Sequence, residues 1–154
     1  MSRWRMVTAL ALFGWAGSCG GDPLGLDQGQ LASAQARWVG AGLASYDFDV
    51  RVSCFCLAET FGSVTISVRN HQVVSVVRTD SGTTVDSLYF QGVLTVDRMF
   101  ATTRGFINAK PAAFRATYDP SLGFPTMVAV DPVANAADDE FSFTVSGLRA
   151  FLPP

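Results

Sequence analysis

Tyr46-Asp47-Phe48-Asp49-Val50-Arg51-Val52-Ser53-Cys54-Phe55-Cys56 decides how this chain is read. Tyr46, Phe48, Val50, Val52, Cys54 and Cys56 fall on one side of a strict alternation. Asp47, Asp49, Arg51, Ser53 and Phe55 fall on the other. Side chains on a strand point to opposite faces with period two, so the pattern predicts a strand over Tyr46–Cys56, with one face in a core and one in water. A sheet wetted on one face is most often antiparallel.

The same alternation recurs downstream. Val64, Ile66 and Val68 share a face in Gly62–Arg69, and Gln72–Thr79 returns after Asn70-His71, a pair suited to the positive φ of a two-residue hairpin turn. Thr83–Leu94 has no clear period and is expected to be a long loop, or a short extra strand around Leu88–Phe90. A second set begins with Ala112–Tyr118. The turn Asp119-Pro120-Ser121-Leu122-Gly123 follows, with Asp, Pro and Gly at the positions a tight turn favours. Phe124–Asp131 is the return strand, where Pro125 marks an edge, a strand start or a bulge. Glu140–Val145 is the last strand, with Leu148, Phe151 and Leu152 as a packed tail.

Two stretches change period. Leu31–Leu43 places Leu31, Ala34, Trp38 and Leu43 on a rough helical stripe, with Trp38 as its core anchor. Val96–Asn108 places Val96, Met99, Phe100, Thr103, Phe106 and Ile107 on one face. Thr95 is its expected N-cap, Asp97 complements the helix start, and Pro111 prevents continuation. The order is α-β-β-β-α-β-β-β. It predicts an α+β domain with an antiparallel sheet of about six strands and two helices on one face.

The first residues of the chain suggest export. Arg3 and Arg5 precede the apolar run Met6–Phe13, and Ala16, Gly17 and Ser18 lead to Cys19. Charged, apolar and then small residues are the layout of a secretory signal over residues 1–18, and Cys19 after small residues resembles a bacterial lipobox. Acyl chains on Cys19 would anchor the protein, each buried CH₂ contributing ~0.8 kcal/mol. Gly20 rather than Asp follows Cys19, which resembles an outer-membrane address facing the periplasm. Residues 19–30, rich in Gly, are expected to be a tether, and residues 31–154 a single domain.

Of 154 residues, 11 are basic and 13 acidic. Losing Arg3 and Arg5 with the leader leaves nine basic residues against thirteen acidic, a balance of −4 without any basic stripe. A nucleic-acid surface is therefore not expected.

Two groups of residues carry candidate chemistry. Cys54 and Cys56 form a C-x-C pair in a chain expected to meet an oxidising compartment, so a disulfide, or a redox activity built on it, is one reading. On a regular strand their Cα atoms would be ~6.5 Å apart, near the upper limit for a bridge, so a bulge would be needed. The other reading is two small buried hydrophobes. Asp131, Asp138, Asp139 and Glu140, with Asn135, offer oxygens that calcium accepts, although their spacing is not that of an EF-hand. A solvated acidic loop is the plainer reading. His71 falls in a turn, and no zinc spacing, G-x-S-x-G or phosphate-cradling loop is present. No catalytic residue or cofactor is assigned.

Arg37-Trp38, Ser45-Tyr46-x-Phe48, Cys54-Phe55-Cys56, Thr95-Val96-Asp97-x-Met99-Phe100, Tyr118-Asp119-Pro120-x-Leu122-Gly123-Phe124-Pro125-Thr126 and Asp138-Asp139-Glu140-Phe141 occur in this order. The ordered set resembles a family of bacterial secreted or lipid-anchored proteins grouped as a domain of unknown function. It spans roughly Ala34–Leu148. Asn70-His71 departs from the Asn-Gly of the pattern. The resemblance implies an exported α+β domain and no particular chemistry. The function expected is a lipid-anchored envelope protein that binds a partner or plays a structural role without catalysis. The alternatives are a redox or metal-dependent activity at Cys54/Cys56 or the Asp131–Glu140 loop, and an inhibitor-like module binding an envelope enzyme.

Overall fold

The computed structural model describes residues 23–136 and 138–151. Residues 1–18, Cys19 and the first part of the tether lie outside them. The architecture is α+β, built on a six-stranded antiparallel sheet. Helix α1 (Pro23–Ala41) leads into strand β1 (Tyr46–Cys54), followed by β2 (Ser63–Arg69) and β3 (Gln72–Arg78). Helix α2 (Val96–Ala109) precedes β4 (Ala113–Tyr118), β5 (Pro125–Asp131) and β6 (Phe141–Ala150). The strands lie in the order β3-β2-β1-β6-β5-β4, so the first and last strands meet at the centre. Two 3-10 segments, Ala58–Thr60 and Ser87–Val93, are additional elements between these.

The alternation read in β1 is what the core uses. Tyr46, Phe48, Val50 and Val52 are buried together with Val64, Ile66, Val68, Val128, Phe143 and Val145. Leu31, Ala34 and Trp38 of α1 and Val96, Met99, Phe100 and Ile107 of α2 join the same cluster. Each large side chain fully withdrawn from water there contributes about 1.5–3 kcal/mol. Trp38 meets the Tyr46 ring edge-on at 5.1 Å, as its reading as an anchor requires. The Thr95 hydroxyl accepts from Arg98 N at 3.1 Å, capping α2 where expected.

Four elements differ from the sequence reading by two residues or more, or in type. Helix α1 starts at Pro23, so residues 23–30 are its first turns and not a tether. Proline suits the first turn of a helix, and once the Leu31–Ala34–Trp38 stripe is packed the helix extends at little cost despite Gly25 and Gly29. Strand β1 stops at Cys54, two residues early. Ser87–Val93 is neither loop nor strand but a 3-10 segment that buries Phe90 and Val93, with Asp86 accepting from Leu88 N. Strand β6 runs to Ala150. Its pairing with β1 shifts register opposite Asp47–Asp49, and Gly147 stands there at φ 60°. A glycine in this conformation inserts one extra residue into the strand, so Leu148 packs against the core although the alternation ending at Val145 would turn it outward.

Both tight turns are as read. Asn70 and His71 have φ of 49° and 64°. Asp119 Oδ1 accepts from Ser121 N at 2.9 Å and Leu122 N at 2.7 Å, and Gly123 has φ 85°. Pro125 begins β5 at a register shift against Tyr118, where a missing N–H leaves no gap in the ladder.

Candidate functional site

The end of β1 that carries Cys54 lies at the same end of the sheet as the end of β5 and the start of β6. The register follows from the pairings Cys54↔Phe141 and Val130↔Phe141. This brings the two groups of residues singled out in the sequence to one place. Cys54, Phe55, Asp131, Asp138 and Glu140 line a common cleft of about 460 Å³, together with Arg115 of β4.

The floor of the cleft is one row across four strands: Arg115 pairs with Ala129, Ala129 with Ser142, and Ser142 with Ser53. Their neighbours Val130, Phe143 and Val52 are buried in the core, so this row lies on the opposite, outer face. Three of its four side chains are small, which makes the face concave there. One step along the strands, Asp131 stands opposite Ala113. Phe55 and Glu140 extend from the adjacent strand ends.

Phe55 belongs to the β1–β2 loop, residues 55–62. This loop exposes Phe55 by 81%, Leu57 by 64% and Phe61 by 60%. It is held at several points. The structure joins the Cys54 and Cys56 sulfurs, with Cα atoms 5.2 Å apart. The shorter span arises because the chain leaves the extended conformation after Cys54, and this also turns Cys56 out to solvent instead of into the core. Thr60 N donates to the Leu57 carbonyl at 3.0 Å, and the Thr60 hydroxyl donates to the same oxygen at 2.7 Å. Phe61 N donates to the Ala58 carbonyl at 3.0 Å. From β3, the Arg78 guanidinium donates to the carbonyls of Glu59 and Phe61. The Ala58–Thr60 turn also packs on Ser87–Val93, which exposes Leu88 by 65%.

The acidic residues do not form a metal cage. Among the described residues, no group of three or more His, Cys, Asp or Glu side chains converges in an arrangement suited to an ion. Asp138 and Asn135 sit at positive φ in the connecting loop, and Asp139 precedes Glu140. One carboxylate oxygen each of Asp131 and Asp139 is shut off from water without a described hydrogen-bond donor. His71 lies in the β2–β3 turn at the opposite end of the sheet from Cys54, its N–H donating to the Ala44 carbonyl at 2.8 Å. A Cys/His zinc set is therefore not assembled. Cys19 lies outside the described residues, and no described helix is long and apolar enough to cross a membrane.

Sequence reasoning did not single out Arg115 or Arg78. Each is an arginine in an otherwise ordinary strand: the β2–β3 hairpin brings Arg78 to the loop, and the pairing of β5 with β6 and of β6 with β1 brings Arg115 to the cleft beside Cys54. The exposed Leu57 and Phe61 had a local signal: large apolar residues in a segment without a strand or helix period.

No curated protein and no solved structure matches the chain. The family of unknown function DUF6174 matches residues 30–150, which contain all six strands, both 3-10 segments, helix α2 and most of α1. With this match over most of its length, the chain belongs to the family of unknown function DUF6174.

Proposed function

We propose that this chain is a lipid-anchored binding module of the bacterial cell envelope, and that the braced loop 55–62 with the adjoining cleft is its binding surface. The observation that carries this reading is the bracing. Large apolar side chains in water cost nothing unusual when scattered, but Phe55, Leu57 and Phe61 stand on one short loop. That loop is fixed by a C-x-C pair, a hydrogen-bonded turn and an arginine clamp. A rigid apolar projection loses little freedom when a partner covers it, which is the condition for a binding hot spot.

The anchoring half of the proposal rests on the basic start, the apolar run and Cys19. The Cys54–Cys56 bridge belongs to the proposal too, since an exported protein meets an oxidising compartment. Thiol titration of the denatured protein should find the pair closed until reductant is added. Two free thiols would remove one brace.

The binding half is tested by placing a photoreactive residue at Leu57 or, as a control, at Val39, which is exposed by 66% on α1. Irradiation in living cells should give a discrete adduct from position 57, lost on Phe55→Ser, and none from position 39. Equal adducts from both sites, or none from either, defeats the assignment. Labelling with a fatty-acid analogue, lost on Cys19→Ser, tests the anchor independently.

A further inference from the structure

Resting on that reading, we infer the chemistry of the occupant: the surface seats a basic, amphipathic polypeptide segment of a partner protein. The argument is one of charge and shape. The apolar projection of Phe55, Leu57 and Phe61 is bordered by acid. Glu59 lies within the loop itself, and Asp131, Asp138 and Glu140 line the cleft whose rim Phe55 shares. Asp131 is half-buried there.

Among the charged residues that line the cleft, the acids Asp131, Asp138 and Glu140 outnumber the single base Arg115. Arg78 is committed to the carbonyls of the loop. Lys110 is exposed at the left-handed end of α2. Arg115 is the diagonal neighbour of Asp131 across the β4–β5 pair, and Arg51 lies exposed on the same outer face two residues before Ser53. An occupant with apolar side chains against Phe55 and Leu57 and a Lys or Arg over Asp131 and Glu140 meets every feature. The shallow floor of Ser53, Ala129 and Ser142 leaves room for its backbone, and Arg115 can donate to its carbonyls. An anionic lipid surface fits the apolar part alone, because the bordering carboxylates oppose it.

The test uses the chain from Gly20 onward, which retains every element of the described fold. Three labelled peptides of equal length and identical Leu placement, with Lys, Ser or Glu at the remaining positions, are titrated by fluorescence anisotropy. The Lys/Leu peptide should bind at least about tenfold more tightly than the Glu/Leu peptide, with the gap shrinking as salt rises. Asp131→Asn with Glu140→Gln should reduce that gap several-fold while leaving the Ser/Leu peptide unaffected. Phe55→Ser should weaken all three peptides, and Val39→Ser none.

Phe55-dependent binding without a charge preference overturns the basic partner but leaves the binding surface standing. A preference that survives the double substitution places the cation elsewhere and also overturns it. Phe55-dependent binding of phosphatidylglycerol vesicles, with no peptide binding, assigns the surface to lipid instead. Absence of any Phe55-dependent binding removes both this inference and the surface on which it rests.

Discussion

Gly123 lies so close to helix α1 that a Cβ there would stand 2.1 Å from the carbonyl oxygen of Ala34. The turn after β4 is therefore seated directly on the helix. The residue that lets the chain turn at φ 85° also lets the two backbones meet. Gly123→Ala should cost about 3 kcal/mol or more, since the neighbouring atom is backbone and cannot swing away. Gly82 has a similar φ of 68° but nothing near its missing Cβ. Gly82→Ala should cost only about 1–2 kcal/mol, the conformational part alone. Denaturant unfolding of the two variants separates contact from conformation.

Tyr46 and Tyr118 make a matched pair. The Tyr46 hydroxyl accepts from Val96 N at 3.2 Å, satisfying a donor at the buried start of α2. Tyr46→Phe orphans that N–H and should destabilise by about 1–3 kcal/mol. The Tyr118 hydroxyl is buried with no described partner, and its ring lies parallel to Phe100 at 6.4 Å. Tyr118→Phe keeps the ring and removes the orphan, so it should be neutral or stabilising by up to about 1 kcal/mol. Thermal unfolding of both variants at neutral pH reads the opposite signs.

The same two hydroxyls set the alkaline limit. Burial pushes both up to about 12, helped at Tyr118 by the charge of Asp27 and at Tyr46 by that of Asp97, against the bond from Val96. The unfolded chain ionises its tyrosines near ~10 while the folded chain keeps them protonated. Their contribution is full below pH ~10 and is lost as pH rises toward ~12. Stability of Tyr118→Phe should fall less steeply over that range than stability of the parent, as measured by urea unfolding at stepped pH.

Asp47 and Arg69 set an acid limit. Burial opposes ionisation of Asp47, but hydrogen bonds from Arg69 and Ser67 and the charges of Arg69 and Arg149 outweigh it and hold the carboxyl below its ordinary value. The ion pair spans 2.7 Å. A lowered carboxyl stabilises above its unfolded value near ~3.9 and loses that contribution as pH falls through the folded one. Asp47→Asn should therefore flatten the decline in stability below pH ~4.

The Arg78 clamp should act locally. Arg78→Met removes the two donors to Glu59 and Phe61 but keeps most of the apolar stem. Chymotryptic cleavage near Leu57 and Phe61 should accelerate severalfold, while the global unfolding midpoint moves little. An unchanged cleavage rate would show that the remaining braces suffice to hold the loop.

Much of this molecule is written in local pattern. Period two placed β1, β2, β3 and β4, and the stripe from Val96 to Ile107 placed α2 with its Thr95 cap. Asn70-His71 and Asp119–Gly123 placed both turns. These signals are legible because each depends on side chains within a few residues, repeating at the spacing of one element. Where one residue breaks the repeat, reading stops. Gly147 resets the alternation and hid half of β6, and the 3-10 segment at Ser87–Val93 has no period long enough to recognise.

Cys54-Phe55-Cys56 and the Asp131–Glu140 stretch were each visible in the sequence, but as separate candidates. Their adjacency was decided by β6, which pairs with β1 on one side and β5 on the other and so closes a chain separation of some eighty residues. Arg115 gained its place beside the cleft by the same pairings, whereas the local β2–β3 hairpin put Arg78 beside the loop. Sequence determined which segments are strands and which face of each is apolar, because burial acts residue by residue along a strand. Only the tertiary structure determined which strand ends share a rim, because strand order depends on packing both helices and all six strands around one core.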